Sequence, residues 1–345
     1  MGVQGFSNVR ETRFWQRGFL ASQSAYVLAA LIVLIIVMAT ISDNFLTERN
    51  ISNVMQNFSF IAIAALGTTL VIITAGIDLS VGSTMALTAT TTALTMRGLN
   101  EIGFYPFPGS AFIISVAAGL GTAAIVGLAN GFAVARLKLA PFVTTLGTLS
   151  IVRGLTYVAT QGRGTSPDGP DKALFLQATA ARIPMPDGIP NLPVAFIYLI
   201  ILAFFMWLAL NHTAWGKHVY AIGGNESAAL LTGVNVDRVK IAVYVLCSVS
   251  AGLNGIIISG WLGSAPANLA NAYELTIIAA AVIGGANLFG GVGTAAGAII
   301  GCILIEVIRN GLVLARVDPY WQQTLVGCII VAAVFVDRLR SARTT

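Results

Sequence analysis

The sequence predicts an all-α integral membrane protein of about ten transmembrane helices, with N- and C-termini cytoplasmic. Three observations carry this. Of 345 residues, 56% are hydrophobic and 10% charged, against about 25% charged in an ordinary soluble domain. Mean hydropathy is +0.83. The basic residues gather at the ends of long apolar runs, where orientation signals belong.

The expected spans, each near the length needed to cross about 30 Å of hydrocarbon, are residues 25–41, 58–77, 79–96, 110–134, 141–160, 193–211, 241–262, 273–289, 293–314 and 321–337. Arg10, Arg13 and Arg17 precede the first run. No small-residue cleavage site followed by a soluble domain appears, so the run reads as a span and not as a leader. With residues 1–24 inside and spans alternating, the inside receives Arg136, Lys138, Lys217, Arg238, Lys240, Arg338, Arg340 and Arg343 as well. The outside receives Arg49, Arg97, Arg163, Lys172, Arg182 and Arg316. The bias has the sign the positive-inside rule requires. One transmembrane domain, 25–337, results, with a periplasmic segment 161–191, a cytoplasmic loop 212–240 and a cytoplasmic tail 338–345.

Within the loop, Asn225 is placed to cap a short helix, Glu226 suits its first turn, and Gly233 marks its end. The residues Gly224, Asn225, Glu226, Ser227, Ala228, Ala229, Leu230 and Leu231 therefore make about two turns, too short to cross a bilayer. They form either a docking surface or a plain loop helix lying against the membrane.

Glycines at 293, 297 and 301, and at 127 and 131, repeat every fourth residue, the interval at which helices approach closely in lipid. The run 284–293 is glycine-rich but lacks the Gly-Lys-Ser/Thr ending of a nucleotide phosphate loop. Cys247, Cys302 and Cys328 lie in apolar runs and form neither a metal spacing nor a disulfide framework. No HExxH or GxSxG motif occurs, and no ladder of intramembrane acids that a proton-coupled carrier would display. No catalytic residue and no metal site are expected.

Ionisable and amide groups at membrane depth are the candidates for function. Asp78 lies between two apolar runs. It either caps a helix, accepting N–H bonds from Ser80 and Val81, or serves transport directly. Glu306 and Arg309, three apart, are placed to pair on one helix face. Arg153 and Glu274 have no partner evident from spacing. Gln56, Asn57, Asn130, Asn254 and Asn310 suit either a polyhydroxylated solute or interhelical hydrogen bonds. Phe58, Phe60, Phe142 and Trp261 suit either stacking on a sugar or packing.

Several stretches go further. Gly67-Thr-Thr-Leu-Val-Ile-Ile-Thr-Ala-Gly-Ile-Asp78-Leu-Ser80-Val-Gly82-Ser, Pro141-Phe-Val-Thr-Thr-Leu-Gly-Thr148 with Arg153-Gly154-Leu, and Tyr220-Ala-Ile-Gly-Gly-Asn225-Glu-Ser-Ala-Ala occur in this order. Tyr273-Glu274-Leu, Gly290-Gly291-Val-Gly293, Asn310-Gly311-Leu and Trp321-Gln-Gln323 follow. Together they resemble the ribose/xylose/arabinose-type permease subunits of bacterial ABC importers, from about residue 50 to 337. Two departures stand out: Thr276 where that family has an aspartate, and Ala265-Pro266-Ala-Asn-Leu-Ala-Asn271-Ala272 where it has a Pro-x-x-Gly stretch.

The resemblance implies a paired permease or homodimer in the inner membrane. Separate ABC ATPase subunits would hold ATP and Mg, and a periplasmic binding protein would deliver a small sugar. Residues 224–232 would be the coupling helix. This chain would bind no cofactor and catalyse no covalent step. Asp78, Ser80, Asn57, Phe58, Asn130, Glu274 and Asn310 would be translocation-path or motif residues. A neighbouring reading is an ABC permease for branched-chain amino acids or nucleosides.

Overall fold

A computed structural model describes residues 23–318 and, beyond them, 321, 324, 325, 327 and 328. Residues 1–22, most of the tenth expected span and the tail lie outside the described residues.

The described chain is helical almost throughout. It runs α1 (Gln23–Ile41), α2 (Glu48–Ile73), α3 (Val81–Glu101), α4 (Ser110–Ala135), α5 (Pro141–Thr160) and α6 (Lys172–Ala180). It continues as α7 (Val194–His212), α8 (Ala214–Gly224), α9 (Glu226–Leu231), α10 (Val236–Leu262), α11 (Tyr273–Ile283) and α12 (Ala295–Leu314). Six of these, α2, α4, α5, α7, α10 and α12, are long and apolar enough to cross a membrane. In α1 only Ala25–Ile41 is apolar helix. Threonines dilute α3, which packs between α4, α10 and α5.

One expectation needs correction. The eighth expected span, 273–289, is a helix of 11 residues that ends at Ile283, because Gly285, Gly290 and Gly291 take left-handed backbone conformations there. At 1.5 Å per residue it is about 16 Å long, half the hydrocarbon thickness. Segment 161–191 carries structure of its own: it holds α6, and a short ribbon pairs β1 (Arg182–Ile183) with β2 (Leu192–Pro193).

The centre of the bundle is α2, whose residues from Phe58 to Thr74 are all buried, together with α10. Backbone-to-backbone approach sets the packing. A Cβ on Gly67 would lie 2.8 Å from Cys247 Cα, and one on Gly127 would lie 2.7 Å from both Tyr244 O and Val245 Cα. Gly131 meets Ile241 in the same way, at 2.8 Å. These are the contacts that small residues permit in lipid, where no hydrophobic force draws helices together. The expected face of Gly293, Gly297 and Gly301 is realised only in part. Gly297 and Gly301 press α12 onto the end of α11, at Gly284 O and Ala280 O. Gly293 precedes the helix and packs on Ile73 instead.

Polar contacts sort the loops to two ends. At one end the Asp171 carboxylate accepts N–H bonds from Gly109, Ala111 and Phe112, at 3.1, 2.9 and 3.3 Å. It thereby caps α4 and ties down segment 161–191. Thr165 and Ala265 exchange backbone bonds at this end, and Arg182 donates to Asn53 and Gln56. At the other end Arg136 and Lys138 flank Asp237, at 3.3 and 3.2 Å, and Lys240 pairs with Glu226.

Gly127→Leu would drive a side chain into the α10 backbone, whereas Gly121, on the same helix, has nothing within 4 Å of an added Cβ. Overpacking costs about 1–3 kcal/mol. The expected outcome is a lowered midpoint of thermal unfolding in detergent for Gly127→Leu and an unchanged one for Gly121→Leu.

Candidate functional site

The helical path of α2 stops at Ile73 and resumes at Val81. Irregular backbone at membrane depth is tolerated only where protein buries it, and residues 74, 76 and 78–80 are buried. Ala75 has φ +57°. Gly76 sits where a Cβ would come within 2.8 Å of Tyr244 Oη and 2.9 Å of Val71 Cγ1. The turn therefore has no room for a larger residue at 76.

Asp78 organises this break. Its Oδ1 accepts from the Ser80 N–H at 2.8 Å and from the Ser80 hydroxyl at 2.6 Å. Val81 is not among its donors. The Ser80 oxygen in turn accepts from Asn130 Nδ2 on α4 at 2.9 Å. Asn130 Oδ1 accepts from the Thr148 hydroxyl on α5 at 2.6 Å. One unbroken chain thus links the break to α4 and α5, and α10 closes the cluster with Tyr244 and Cys247 facing the Asp78 carboxylate. Asp78 Oδ2, Tyr244 Oη and Ser248 Oγ find no hydrogen-bond partner among the described residues. The cluster is a closed polar core with free acceptor capacity.

The N-terminal turn of α3 meets the N-terminal turn of α11. An added Cβ on Gly82 would strike the Glu274 carboxylate, and it would lie 2.6 Å from Ala270 O. Glu274 Oε2 is buried without a hydrogen-bond partner among the described residues. Asp78, Ser80, Asn130 and Glu274 are therefore neighbours around one break.

The other candidates lie elsewhere. Asn57 donates to Glu306 Oε1 at 2.9 Å, joining α2 to α12. This replaces the expected Glu306–Arg309 pair, which is not among the ion pairs of the described residues. Asn310 and Asn50 exchange amide bonds of 2.8 and 3.0 Å, a reciprocal pair that occupies Asn310 in holding α2 to α12. Phe58 is buried edge-on against Phe196, with ring centroids 5.9 Å apart. Asn254 donates to Phe60 O, and Phe60 packs on Trp261. These are interhelical contacts. Phe142 stands exposed on α5.

At the Arg136/Lys138 end, Asn225 Oδ1 accepts from Ala228 N–H at 2.9 Å and caps α9. Thr232 ends the helix, and Gly233 follows with φ +88°. Ala229 is buried, while Leu230 and Leu231 are 63% and 88% exposed. Glu226, Ser227 and Leu230 line a groove of about 610 Å3 with Arg136, Lys138 and Asp237. The preceding helix, α8, is joined to the break. Gly291 N–H donates to Ile73 O at 2.9 Å, Tyr220 Oη donates to Gly293 O at 2.7 Å, and Gly223 packs against the Ile73 carbonyl.

Sequence reasoning missed Thr148 and Tyr244. Thr148 ends a quoted motif, but only the fold shows that its hydroxyl faces Asn130. It also left Arg153 without a partner; in the fold its Nη1 donates to Ala267 O and Leu269 O at 3.3 and 2.8 Å.

Residues 50–334 match the family model described as branched-chain amino acid transport system / permease component. The chain belongs to this permease family. It is 39% identical over 326 residues to the ribose import permease of Escherichia coli K12, covering 94% of this chain and 96% of that one. It is 37% identical over 331 residues to the galactose/methyl galactoside import permease of Haemophilus influenzae, covering 94% and 96%. It is 35% identical over 312 residues to the ribose import permease of Bacillus subtilis, covering 90% and 92%. No solved structure matches the chain.

Asp78→Asn keeps an oxygen for both Ser80 donors, whereas Asp78→Leu leaves them buried and unpaired. An unsatisfied buried polar group costs about 1–3 kcal/mol. Thermal unfolding of purified permease is expected to be near wild type for Asp78→Asn and clearly lowered for Asp78→Leu. Equal stability of the two variants would count against Ser80 as the partner that Asp78 satisfies.

Proposed function

We propose that this chain is the transmembrane permease subunit of a binding-protein-dependent ABC importer that carries a small sugar or related polyol across the inner membrane. The observation that carries the reading is that similarity to ribose and galactose import permeases runs along nearly the whole chain. ATP and Mg belong to separate ATPase subunits, a periplasmic protein delivers the solute, and two permease copies pair around one path. The family model's description names branched-chain amino acids. The curated relatives named above are all sugar permeases, so a permease for branched-chain amino acids or nucleosides is not favoured.

In this reading the end carrying Arg136, Lys138, Lys217, Arg238 and Lys240 faces the cytoplasm, in keeping with the positive-inside rule. The chain then crosses about ten times, both termini are cytoplasmic, and segment 161–191 lies in the periplasm. Residues 224–231 are the coupling helix: the capped α9 presents Leu230 and Leu231 to a groove of the ATPase. ATPase closure then shifts the balance between inward- and outward-open arrangements through differential contacts. The Gly291–Ile73 bond and the Gly223 contact support a direct path from α9 to the Asp78 break. Asp78, Ser80, Asn130 and Glu274 are the group nearest that path. Asn57, Phe58 and Asn310 belong to the packing that frames it.

Leu231→Asp is expected to lower co-purification of the cognate ATPase at least tenfold while membrane insertion stays normal. It is a cleaner probe than Glu226→Arg, which also breaks the Lys240 pair. Undiminished ATPase capture by Leu231→Asp and Leu230→Asp would remove the coupling assignment. For the function itself, the complex reconstituted with ATPase and binding protein should hydrolyse ATP faster with one loaded binding protein from a panel of sugars. ATPase binding with no stimulation by any sugar would point to another solute class, and no ATPase binding would sink the importer reading.

A further inference from the structure

Because α11 has only half the length needed to cross a bilayer, something else must fill the other half above it. That something is segment 263–272. It leaves the end that holds segment 161–191, where Ala265 and Thr165 exchange backbone bonds of 3.0 and 2.6 Å. It then descends into the protein until Ala270 O meets Gly82 at the start of α3. Ala265, Ala267 and Leu269 are 0%, 4% and 6% exposed, yet the segment is neither helix nor sheet. Ala270 and Ala272 have φ of +53° and +62°, a left-handed backbone that alanine rarely adopts without support from its surroundings.

Asn268 and Asn271 stand exposed, but the carbonyls of the buried residues must find donors. Arg153 supplies them. Its Nη1 reaches both Ala267 O and Leu269 O. A guanidinium offers five donors in a fixed plane and keeps its charge, so one side chain holds two successive bends. Arg153 stands on α5 just over one turn beyond Thr148, which binds Asn130 of the Asp78 cluster. The same helix is therefore tied to the break at one level and to the descending segment at the next.

We propose that Arg153 is a positioning residue for transport, holding residues 264–272 as a closure across the outer half of the path. The inference rests on the importer reading and names how its outer side is sealed. When α5 shifts, the two carbonyls lose their donor, the strained alanines relax, and the segment withdraws from Gly82 and Glu274. Solute delivered from outside then reaches the Glu274 carboxylate, whose Oε2 is unengaged.

The test uses the complete transporter in proteoliposomes, with radiolabelled ribose as probe and no ATP. Arg153→Gln is expected to raise passive solute leak at least tenfold, with thermal stability and ATPase capture near wild type, and Arg153→Lys to restore most of the seal. A wild-type leak rate in a stable Arg153→Gln complex would overturn the proposal. If Arg153→Gln does not fold, a second variant decides. Thr165→Cys with Ala265→Cys, in a Cys328→Ser background, replaces a hydrogen-bonded antiparallel pair with Cα atoms about 5.5 Å apart, within disulfide reach. Oxidation should cut ATP-driven uptake at least tenfold, and reductant should restore it. Full uptake by the cross-linked complex would overturn the closure. Failure of the reduced and wild-type complexes to take up any sugar with ATP would instead sink the importer reading.

Discussion

Backbone at membrane depth has no water to turn to, and this constraint governs the centre of the molecule. Interrupting a helix there strands N–H and C=O groups that each cost several kcal/mol if left unpaired. The chain interrupts itself at 74–80 and again at 263–272, and each time recruits an ionisable side chain to repair the loss. Asp78 satisfies the Ser80 N–H and hydroxyl. Arg153 satisfies the carbonyls of Ala267 and Leu269. The Asp78 carboxyl oxygen serves stranded donors and the Arg153 guanidinium serves stranded acceptors. Glycine does the complementary work: backbone meets backbone at Gly82, Gly67 and Gly127, and Gly76 leaves room for the Tyr244 and Val71 side chains.

Much of this is legible in the sequence, and the reasons it is legible differ. The first span, α4, α5 and α7 follow from hydropathy alone, and their ends fall within about two residues of expectation. The α9 cap is readable because capping is local chemistry: Asn225 needs only its own helix to accept a bond. Asp78 is visible as an acid without a loop to solvate it, and its Ser80 partner is two residues away. Asn130 and Thr148 are not readable as its continuation, because nothing in the spacing of 80, 130 and 148 says which faces of three helices meet.

Non-local pairs also explain the errors. Three-residue spacing makes Glu306 and Arg309 look like partners, but an amide on α2 reaches Glu306 first, and that competition lies outside one helix. Asn310 looks available to a solute for the same reason; its partner Asn50 is 260 residues away. The eighth span is expected too long because scattered glycines do not make an apolar run polar. Gly285, Gly290 and Gly291 adopt conformations that end a helix regardless of how apolar the stretch is.

The placement of the two breaks bears on how force would travel. Ile73 O, the last helical carbonyl of α2, takes its hydrogen bond from Gly291 and lies against Gly223. Asp78 follows Ile73 by only five positions, so under the proposed coupling role a displacement at α8 and α9 would act on the break through a short lever. From Asp78 the hydrogen-bond chain runs to Thr148 on α5, and α5 carries Arg153. No long-range deformation of packed helices is needed, because each step is a discrete contact that is either made or released, and packed interiors switch more readily than they stretch. A transporter that must seal one side before opening the other benefits from such an arrangement. Both Thr148 and Arg153 stand on α5, so under the proposed reading the break and segment 264–272 would not respond independently.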